Sequence, residues 1–195
     1  STTSAGKWGV WGDVASVQAE LESAGFEVVA LTDFSDGLAE PVDGILSAWP
    51  EESMSPEAVD AQCQAALQQL QAYDGSKPWV WLTSNALGVS ADDGVKGLAS
   101  SGLWGLARTA RNENPDWEFK VVDLKRERMS SRPIETTGGN STTEISPLSR
   151  STPSVEMTPI DGQVLALVLQ SNDEPEIAVR EGVCCVPRLV RGGEG

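Results

Sequence analysis

Short apolar segments alternate with segments of helical period in the first part of this sequence, and this alternation restricts the fold more than any other feature. Residues 7–11 form an apolar run that predicts a strand, and residues 13–24 carry apolar side chains at helical spacing. Gly25 is typical of a helix end, and a second apolar run occupies 26–31. A strand, a helix and a second strand form a βαβ unit, which predicts a parallel sheet.

The same alternation continues further along the chain. The pattern predicts strands at 42–49, 79–83, 117–124, 176–180 and 183–187, and helices at 55–73, 95–112 and 161–169. Glu181-Gly182 separates the last two strands, which suits a hairpin turn. The predicted fold class is therefore α/β: a truncated Rossmann-like, mostly parallel sheet flanked by helices, with a C-terminal β-hairpin.

Composition divides the chain into four parts. Residues 1–124 are predicted to form the Rossmann-like core, and residues 160–191 the helix and strands that complete it. Residues 125–159 are rich in Ser, Thr, Pro and Gly, which predicts a disordered insertion, and 192–195 reads as a linker. The opening at Ser1, without a Met, suggests a piece cut from a longer protein.

Charge and residue usage exclude several classes of function. The net charge of −15 disfavours nucleic acid and anionic membrane surfaces as partners, because both require clustered Lys and Arg. No apolar run reaches the roughly 18 residues needed to cross a bilayer. The sequence contains no His, so the commonest general base and metal ligand is missing. These features predict a protein without a metal site.

The cysteines do not suggest a disulfide framework. Cys63 stands alone, and the neighbours Cys184 and Cys185 are predicted to point to opposite faces of a strand. An odd number of thiols suits a reducing compartment, which predicts a cytoplasmic protein. All three are predicted to be buried structural thiols.

Three places in the sequence are candidates for cofactor binding or catalysis. The turn after the first strand is Gly12-Asp13-Val14, without a GxGxxG phosphate loop. Asp33 follows the second strand, where a ribose-binding carboxylate is found in dinucleotide-binding folds. Tyr73 and Lys77 have the Tyr-x-x-x-Lys spacing of short-chain reductases, but Gly75 and Pro78 interrupt the helix that would align them. No catalytic, cofactor-binding or metal-binding residue is predicted in this chain.

The predicted helix before the fifth strand is unusually rich in glycine. Glycine in a helix costs stability, so its repetition suggests close approach of another backbone. Arg108 and Arg111 lie toward the end of this helix and are expected to interact with the helix dipole or with Glu113 and Asp116. The candidate packing interface consists of Gly97, Gly102, Gly105, Arg108 and Arg111.

Five segments of the chain carry a family resemblance. The segment 102–115, GLWGLARTARNENP, resembles the "GLARTARxExP" segment of ketoreductase domains in modular polyketide synthases. The segments at 43–47 (DGILS) and 79–83 (WVWLT) are similar to strands of that family, and those at 174–182 (EPEIAVREG) and 186–191 (VPRLVR) are similar to its ending. The segments occur in the family's order across nearly the whole chain.

The resemblance implies that this chain has a structural role and no catalytic role. Ketoreductases of this family have a structural half and a catalytic half, and only the second binds NADPH and carries the catalytic Ser, Tyr and Lys. This chain resembles the first half and ends before the position of the family's "TGGxGxLG" loop, so no functional residue can be carried over. The expected partners are the catalytic subdomain and neighbouring domains of a multidomain synthase of the acyltransferase class. The long insertion at 125–159 and a missing opening strand depart from the family's pattern.

Two other interpretations remain open at this stage. One is a stand-alone, degenerate Rossmann-like protein that takes part in an unrelated assembly. The other is an enzyme whose site the sequence does not reveal. The mass of the natural product and an NADPH titration distinguish these alternatives from a structural half.

Overall fold

The structure is a computed structural model that describes residues 6–50, 55–89, 97–125, 162–170 and 174–187. Its strands are β1 (Lys7–Gly12), β2 (Glu27–Ala30), β3 (Gly44–Ala48), β4 (Trp79–Ser84), β5 (Phe119–Leu124), β6 (Glu176–Arg180) and β7 (Val183–Cys185). Its helices are α1 (Gln18–Ser23), α2 (Phe34–Ala39), α3 (Pro56–Ala72), α4 (Ser101–Glu113) and α5 (Gly162–Gln170). Apart from Lys125, the predicted insertion lies outside the described residues, and so does the predicted linker.

The strands form one seven-stranded sheet in the order β2-β1-β3-β4-β5-β6-β7. All neighbouring pairs are parallel except β6 and β7, which form the antiparallel hairpin predicted at the C-terminal end. Glu181 and Gly182 connect them with φ values of 50° and 76°, the left-handed region that suits a tight turn. The predicted Rossmann-like α/β fold is therefore confirmed.

Helices cover both faces of the sheet, as expected for strands that are apolar on both sides. On one face, Leu21 of α1 and Leu165 of α5 pack against Val10, Leu46 and other strand residues. On the opposite face, α2, α3 and α4 pack against a cluster of aromatic side chains. Trp79 and Trp81 of β4 are fully buried in that cluster. Both tryptophans are therefore part of the packed core.

Two helices differ from the prediction. The sequence pattern missed α2, which begins after Asp33 through a capping box: the Asp33 side chain accepts from the Ser35 N–H, and Asp36 accepts from the Asp33 N–H. The helix expected over 95–112 begins only at Ser101, after a single 3-10 turn at Leu98–Ser100. Gly97, expected within this helix, therefore precedes α4.

The prediction of three buried thiols was wrong. Cys184 is exposed, and Cys63 and Cys185 are partly buried, because two of them lie on the short edge strand β7. None of the helices in the described ranges is long and apolar enough to cross a membrane.

Candidate functional site

The carboxyl ends of the strands are the place where a sheet of this kind binds ligands, at the point where strand order reverses. Here the reversal lies between β1 and β3. Beside it is a cavity of about 270 Å³ in which the rings of Trp11 and Trp49 meet edge to face, with centroids 5.3 Å apart. Its described lining residues carry no charge: Trp11, Trp49, Pro50, Ala58, Ala61, Gln62 and Ala65. Such a lining offers no cationic side chain to a phosphate.

The turn after β1 is closed against β3. Gly12 has φ +92°, and a Cβ there would fall within 3.0 Å of the Ala48 carbonyl oxygen. The next N–H, that of Asp13, donates to the same oxygen at 2.9 Å. A 3-10 turn at Val14–Ser16 precedes α1, which has only six residues. The residues of this turn do not fit a dinucleotide pyrophosphate, which needs free N–H groups at a helix start.

Asp33 is used for helix capping. Its carboxylate accepts from the Ser35 N–H at 2.9 Å and from the Ser35 hydroxyl. The hydrogen bond from the Ser35 hydroxyl has the larger effect, and with that from the Ser35 N–H it holds the pKa of Asp33 below its ordinary value. The carboxylate considered for ribose binding thus holds the start of α2.

Tyr73 and Lys77 are both committed to structure. The Tyr73 hydroxyl donates to the backbone carbonyl of Lys77, and its side chain is buried among Phe34 and Trp79. The Lys77 ammonium donates to the carbonyls of Gly37 and Leu38 at 2.9 and 3.0 Å, at the C-terminal end of α2. Tyr73 is the C-cap residue of α3, where the sequence places the end of that helix.

The titration of Tyr73 provides a direct test of this packing. Burial, aided by the negative charges of Asp74 and Glu118, raises the pKa of Tyr73 to about 12. Because it is the only tyrosine, ultraviolet absorbance of tyrosinate reports this residue alone. We expect a midpoint near 12 in the folded protein and near 10 in urea.

The same shift has a consequence for stability. Because folding raises the pKa of Tyr73, the protonated hydroxyl contributes to the free energy of unfolding. This contribution is fully present below pH ~10 and is lost as the pH rises through about 12. The difference in unfolding free energy between the wild type and Tyr73→Phe should therefore decrease over that window. A tyrosinate midpoint near 10 in the folded protein would contradict the buried position of Tyr73.

The glycines of the candidate packing interface have three different environments. Gly97 is buried at the end of β4, where its N–H donates to the Asn85 carbonyl at 2.9 Å. Gly102 faces α3, and a Cβ there would lie 3.3 Å from Cys63 Sγ. A Cβ on Gly105 would meet nothing within 4 Å. The three glycines therefore do not form one interface within the described part of the chain.

Arg108 and Arg111 attach α4 to β6 through a partner remote in sequence. Arg108 donates twice to the Glu176 carboxylate, at 2.8 and 2.7 Å, and Arg111 donates to Glu176 Oε1. Burial raises the pKa of Glu176, but the two guanidinium groups outweigh burial and leave it below the ordinary value. Both arginines thus pair with Glu176 rather than with Glu113 or Asp116, and Arg111 lies in the last turn of α4, where the expected interaction with the helix dipole stays a prediction. The partner that forms is Glu176, which parallel pairing of β5 with β6 brings beneath α4.

A second ion pair, which sequence reasoning missed, lies at the carboxyl ends of β4, β5 and β6. Asp123 is completely buried and lies 2.6 Å from Arg180 Nη2. Its carboxylate also accepts from the N–H groups of Ala86 and Leu87, at 2.9 and 3.3 Å. The available signal was a lone charged residue within the apolar run Val121–Leu124. We call Asp123, Arg180 and the two N–H groups the Asp123 cluster.

The family is decided by a match over most of the chain. Residues 3–142 match the model of the Rossmann fold domain of the polyketide synthase extender module SpnB. The chain belongs to this family. The polyketide synthase resemblance stated from the sequence is therefore confirmed.

Similar proteins agree with this assignment. The PKS-NRPS hybrid synthetase acdB of Aspergillus candidus is 29% identical over 94% of this chain, which spans 7% of that protein. The pikromycin polyketide synthase component PikAII of Streptomyces venezuelae is 29% identical over 92% of this chain and 5% of its own length. The chain therefore covers less than a tenth of either relative.

Solved structures have the same fold. A C2-type ketoreductase from a modular polyketide synthase superposes with a TM-score of 0.69 at 24% identity, over 97% of this chain and 40% of that chain. A-type ketoreductases superpose with a TM-score of 0.55 at 17% identity. This polyketide synthase Rossmann domain thus has the ketoreductase-like fold that the sequence predicts.

Proposed function

We propose that this domain is the structural, non-catalytic half of a ketoreductase in a multidomain polyketide synthase. It braces an NADPH-binding catalytic half that lies elsewhere in the same polypeptide. The parent protein would be a cytoplasmic synthase of the acyltransferase class with ketoreductase activity, and neighbouring synthase domains would be further partners. The alternative is a stand-alone, degenerate Rossmann-like protein that takes part in an unrelated assembly.

One observation carries this proposal: the cofactor position of the fold is used for structure. The Asp13 N–H is bound to the Ala48 carbonyl, and the described residues that line the cavity beside the turn are uncharged and mostly apolar. Asp33, at the ribose position, caps α2. Tyr73, at the spacing of a reductase pair, donates to a backbone carbonyl. Each side chain considered for chemistry has a structural partner.

The two ion pairs support a bracing role. Glu176 connects α4 to β6, and the Asp123 cluster joins β5 and β6 to the segment that follows β4. Charge-assisted hydrogen bonds that join separate elements restrict their relative motion, which suits a rigid support. A cofactor-binding domain would instead leave some of these groups available to its ligand.

Titration with NADPH tests the non-catalytic role. Tryptophan fluorescence is a sensitive reporter here because the chain has seven Trp, and Trp11 lies partly exposed beside the β1 turn. After correction for absorbance, we expect no saturable change up to about 1 mM NADPH, whereas a genuine cofactor site binds in the micromolar range. The parent polypeptide is the positive control. Saturable micromolar binding to the isolated domain would refute the proposal.

The mass of the natural product separates the structural half from the stand-alone alternative. A structural half occurs only as part of a polypeptide much larger than the 20.7 kDa of this chain. Intact-mass analysis of the protein from its source should therefore show the large species. A mature product near 20.7 kDa would favour the stand-alone protein.

A further inference from the structure

Small side chains leave a cavity at the carboxyl end of β3, beside the point where strand order reverses. We call it the Trp49 cavity, after the indole that forms one of its walls. Ala58, Ala61 and Ala65 form another wall, because their spacing places them on one face of α3. The volume is about 270 Å³, whereas an apolar cavity of about 150 Å³ already holds a benzene ring.

The Trp49 cavity combines an open side with a buried aromatic wall. Ala61 is exposed and Trp11 is partly exposed, so solvent reaches the cavity. Trp49 itself is only 4% exposed. A concave, mostly apolar space with one or two polar groups is the usual form of a small-molecule site.

The indole N–H of Trp49 is a buried hydrogen-bond donor without an acceptor among the described residues. The backbone N–H of the same residue donates to the Leu82 carbonyl at 2.9 Å, which fixes Trp49 at the end of β3. Because a buried donor without an acceptor is costly, an acceptor supplied by a ligand is favoured at this position. Gln69 and Trp81 also carry buried N–H groups without a described acceptor, but neither residue lines the cavity.

Gln62 is the polar side chain of the described lining besides the two indoles, and both amide atoms are already bound. Its nitrogen donates to the Pro50 carbonyl at 3.0 Å, and its oxygen accepts from the Ser100 hydroxyl at 3.1 Å. The Gln62 oxygen is thus committed to Ser100. The Trp49 N–H therefore remains as the buried group that a ligand can satisfy.

Charge and shape restrict what the Trp49 cavity can hold. The described lining residues carry no charge, so an ion would lose its hydration there without compensation. The rings of Trp11 and Trp49 meet edge to face at an interplanar angle of 67°. Aromatic rings attract one another in edge-to-face and offset arrangements, so a further ring extends this pair.

From these observations we infer that the Trp49 cavity binds a compact, uncharged ring compound that carries a hydrogen-bond acceptor. The ring lies against the indoles of Trp11 and Trp49, and the acceptor binds the Trp49 indole N–H. This inference goes beyond the structural role proposed above and does not depend on it. A neutral ligand of this size needs no phosphate-binding turn after β1.

Three planar probes of nearly equal size test the ligand class. Acetophenone carries a carbonyl acceptor, α-methylstyrene has a methylene group in its place, and benzoate is charged. Each is titrated into the isotope-labelled chain, and the indole N–H signals of the seven Trp are followed by proton–nitrogen NMR. Trp49→Phe identifies the Trp49 signal by its loss.

We expect saturable binding of acetophenone with a dissociation constant of about 1 mM and a downfield shift of the Trp49 indole proton. α-Methylstyrene should bind without the downfield shift, since it has no acceptor. Both rings perturb the indole alike, so the difference between these two probes reports the hydrogen bond. Benzoate should bind roughly tenfold or more weakly than acetophenone, because its charge has no partner in the cavity.

A substitution at the open side locates the bound probe. Ala61→Leu adds side-chain carbons at the cavity wall, and Ala61 is exposed, so the core is left intact. Ala72→Leu is the matched control, because Ala72 is exposed on the same helix and does not line the cavity. We expect A61L to weaken acetophenone binding roughly tenfold or more, with less than about twofold change for A72L.

Four outcomes would overturn the inference. A Trp49 signal that acetophenone does not shift would show that the N–H meets no ligand acceptor. Equal downfield shifts with acetophenone and α-methylstyrene would show that no hydrogen bond forms. Benzoate binding as tightly as acetophenone would contradict the uncharged class. Unchanged binding to the Ala61→Leu variant would place the probe outside the Trp49 cavity.

Discussion

Replacing Asp123 with Ala should destabilise the domain by about 3–5 kcal/mol, the cost of breaking a buried ion pair by removing one partner. Asp123 is fully buried, and the side chain of Arg180 is only 11% exposed. Without the carboxylate, the guanidinium loses its buried counterion, and the N–H groups of Ala86 and Leu87 lose their acceptor. Urea unfolding followed by tryptophan fluorescence measures the loss.

The control for Asp123→Ala is an ion pair of similar chemistry at the surface. Glu181 is 87% exposed and lies 4.0 Å from Lys125 Nζ, so Glu181→Ala should cost less than about 1 kcal/mol. The two N–H groups bind different oxygens of Asp123, so Asp123→Asn keeps an acceptor for one of them and should have an intermediate effect. If Asp123→Ala and Glu181→Ala cost the same, the Asp123 cluster does not stabilise the sheet as described.

The Asp123→Ala variant also tests the proposed brace when it is introduced into the parent polypeptide. If this domain supports the catalytic half, NADPH-dependent reduction should decline more steeply with temperature than in the wild type. The Glu181→Ala parent should behave as the wild type. Unchanged thermal inactivation in a parent whose isolated domain is destabilised would argue that the two halves are independent.

Gly97→Ala should be the second most damaging substitution, at about 3 kcal/mol. A Cβ at Gly97 would fall within 3.0 Å of the Ser84 carbonyl oxygen, and backbone atoms of Asn85 lie close behind it. The clash involves backbone at the end of β4, so a side-chain rotation cannot relieve it. Thermal and urea unfolding of the variant provide the measurement.

Gly105→Ala is the control, because a Cβ at that position would meet nothing within 4 Å. Alanine is the better helix former by about 1 kcal/mol, so Gly105→Ala should be neutral or stabilising. Opposite signs for Gly97→Ala and Gly105→Ala are the expected result. Equal destabilisation at both positions would contradict the separate environments that the structure assigns to them.

The largest gap between sequence and structure concerns α2. The apolar periodicity around Phe34–Ala39 covers fewer than two turns, so no helical pattern can be recognised there. The helix depends on the reciprocal Asp33 and Asp36 cap and on Lys77, which binds its last carbonyls from a distant segment. The cap could have been found as an Asp-x-x-Asp pattern before a hydrophobic residue. The Lys77 contact could not, because it joins residues about forty positions apart.

The charged residues show the same division. The sequence marks Arg108 and Arg111 as candidates for a packing interface because of their place on α4. Helical spacing, however, indicates ion-pair partners only among neighbours in sequence. Their partner, Glu176, is more than sixty residues away. Likewise, Asp123 and Arg180 each stand out as charged residues in an apolar strand, yet nothing local predicts that they pair.

By itself the sequence determined the order of the strands and of the described helices other than α2, the parallel sheet and the family, because apolar periodicity and the resembling segments are local properties. The tertiary structure alone decided which glycines meet backbone, which carboxylates the arginines bind, and that the turn after β1 is hydrogen-bonded to the end of β3. Those features depend on contacts between segments remote in the chain, such as the Asp13 N–H on the Ala48 carbonyl. Periodicity carries no record of such contacts, since it reports only whether a side chain faces the core.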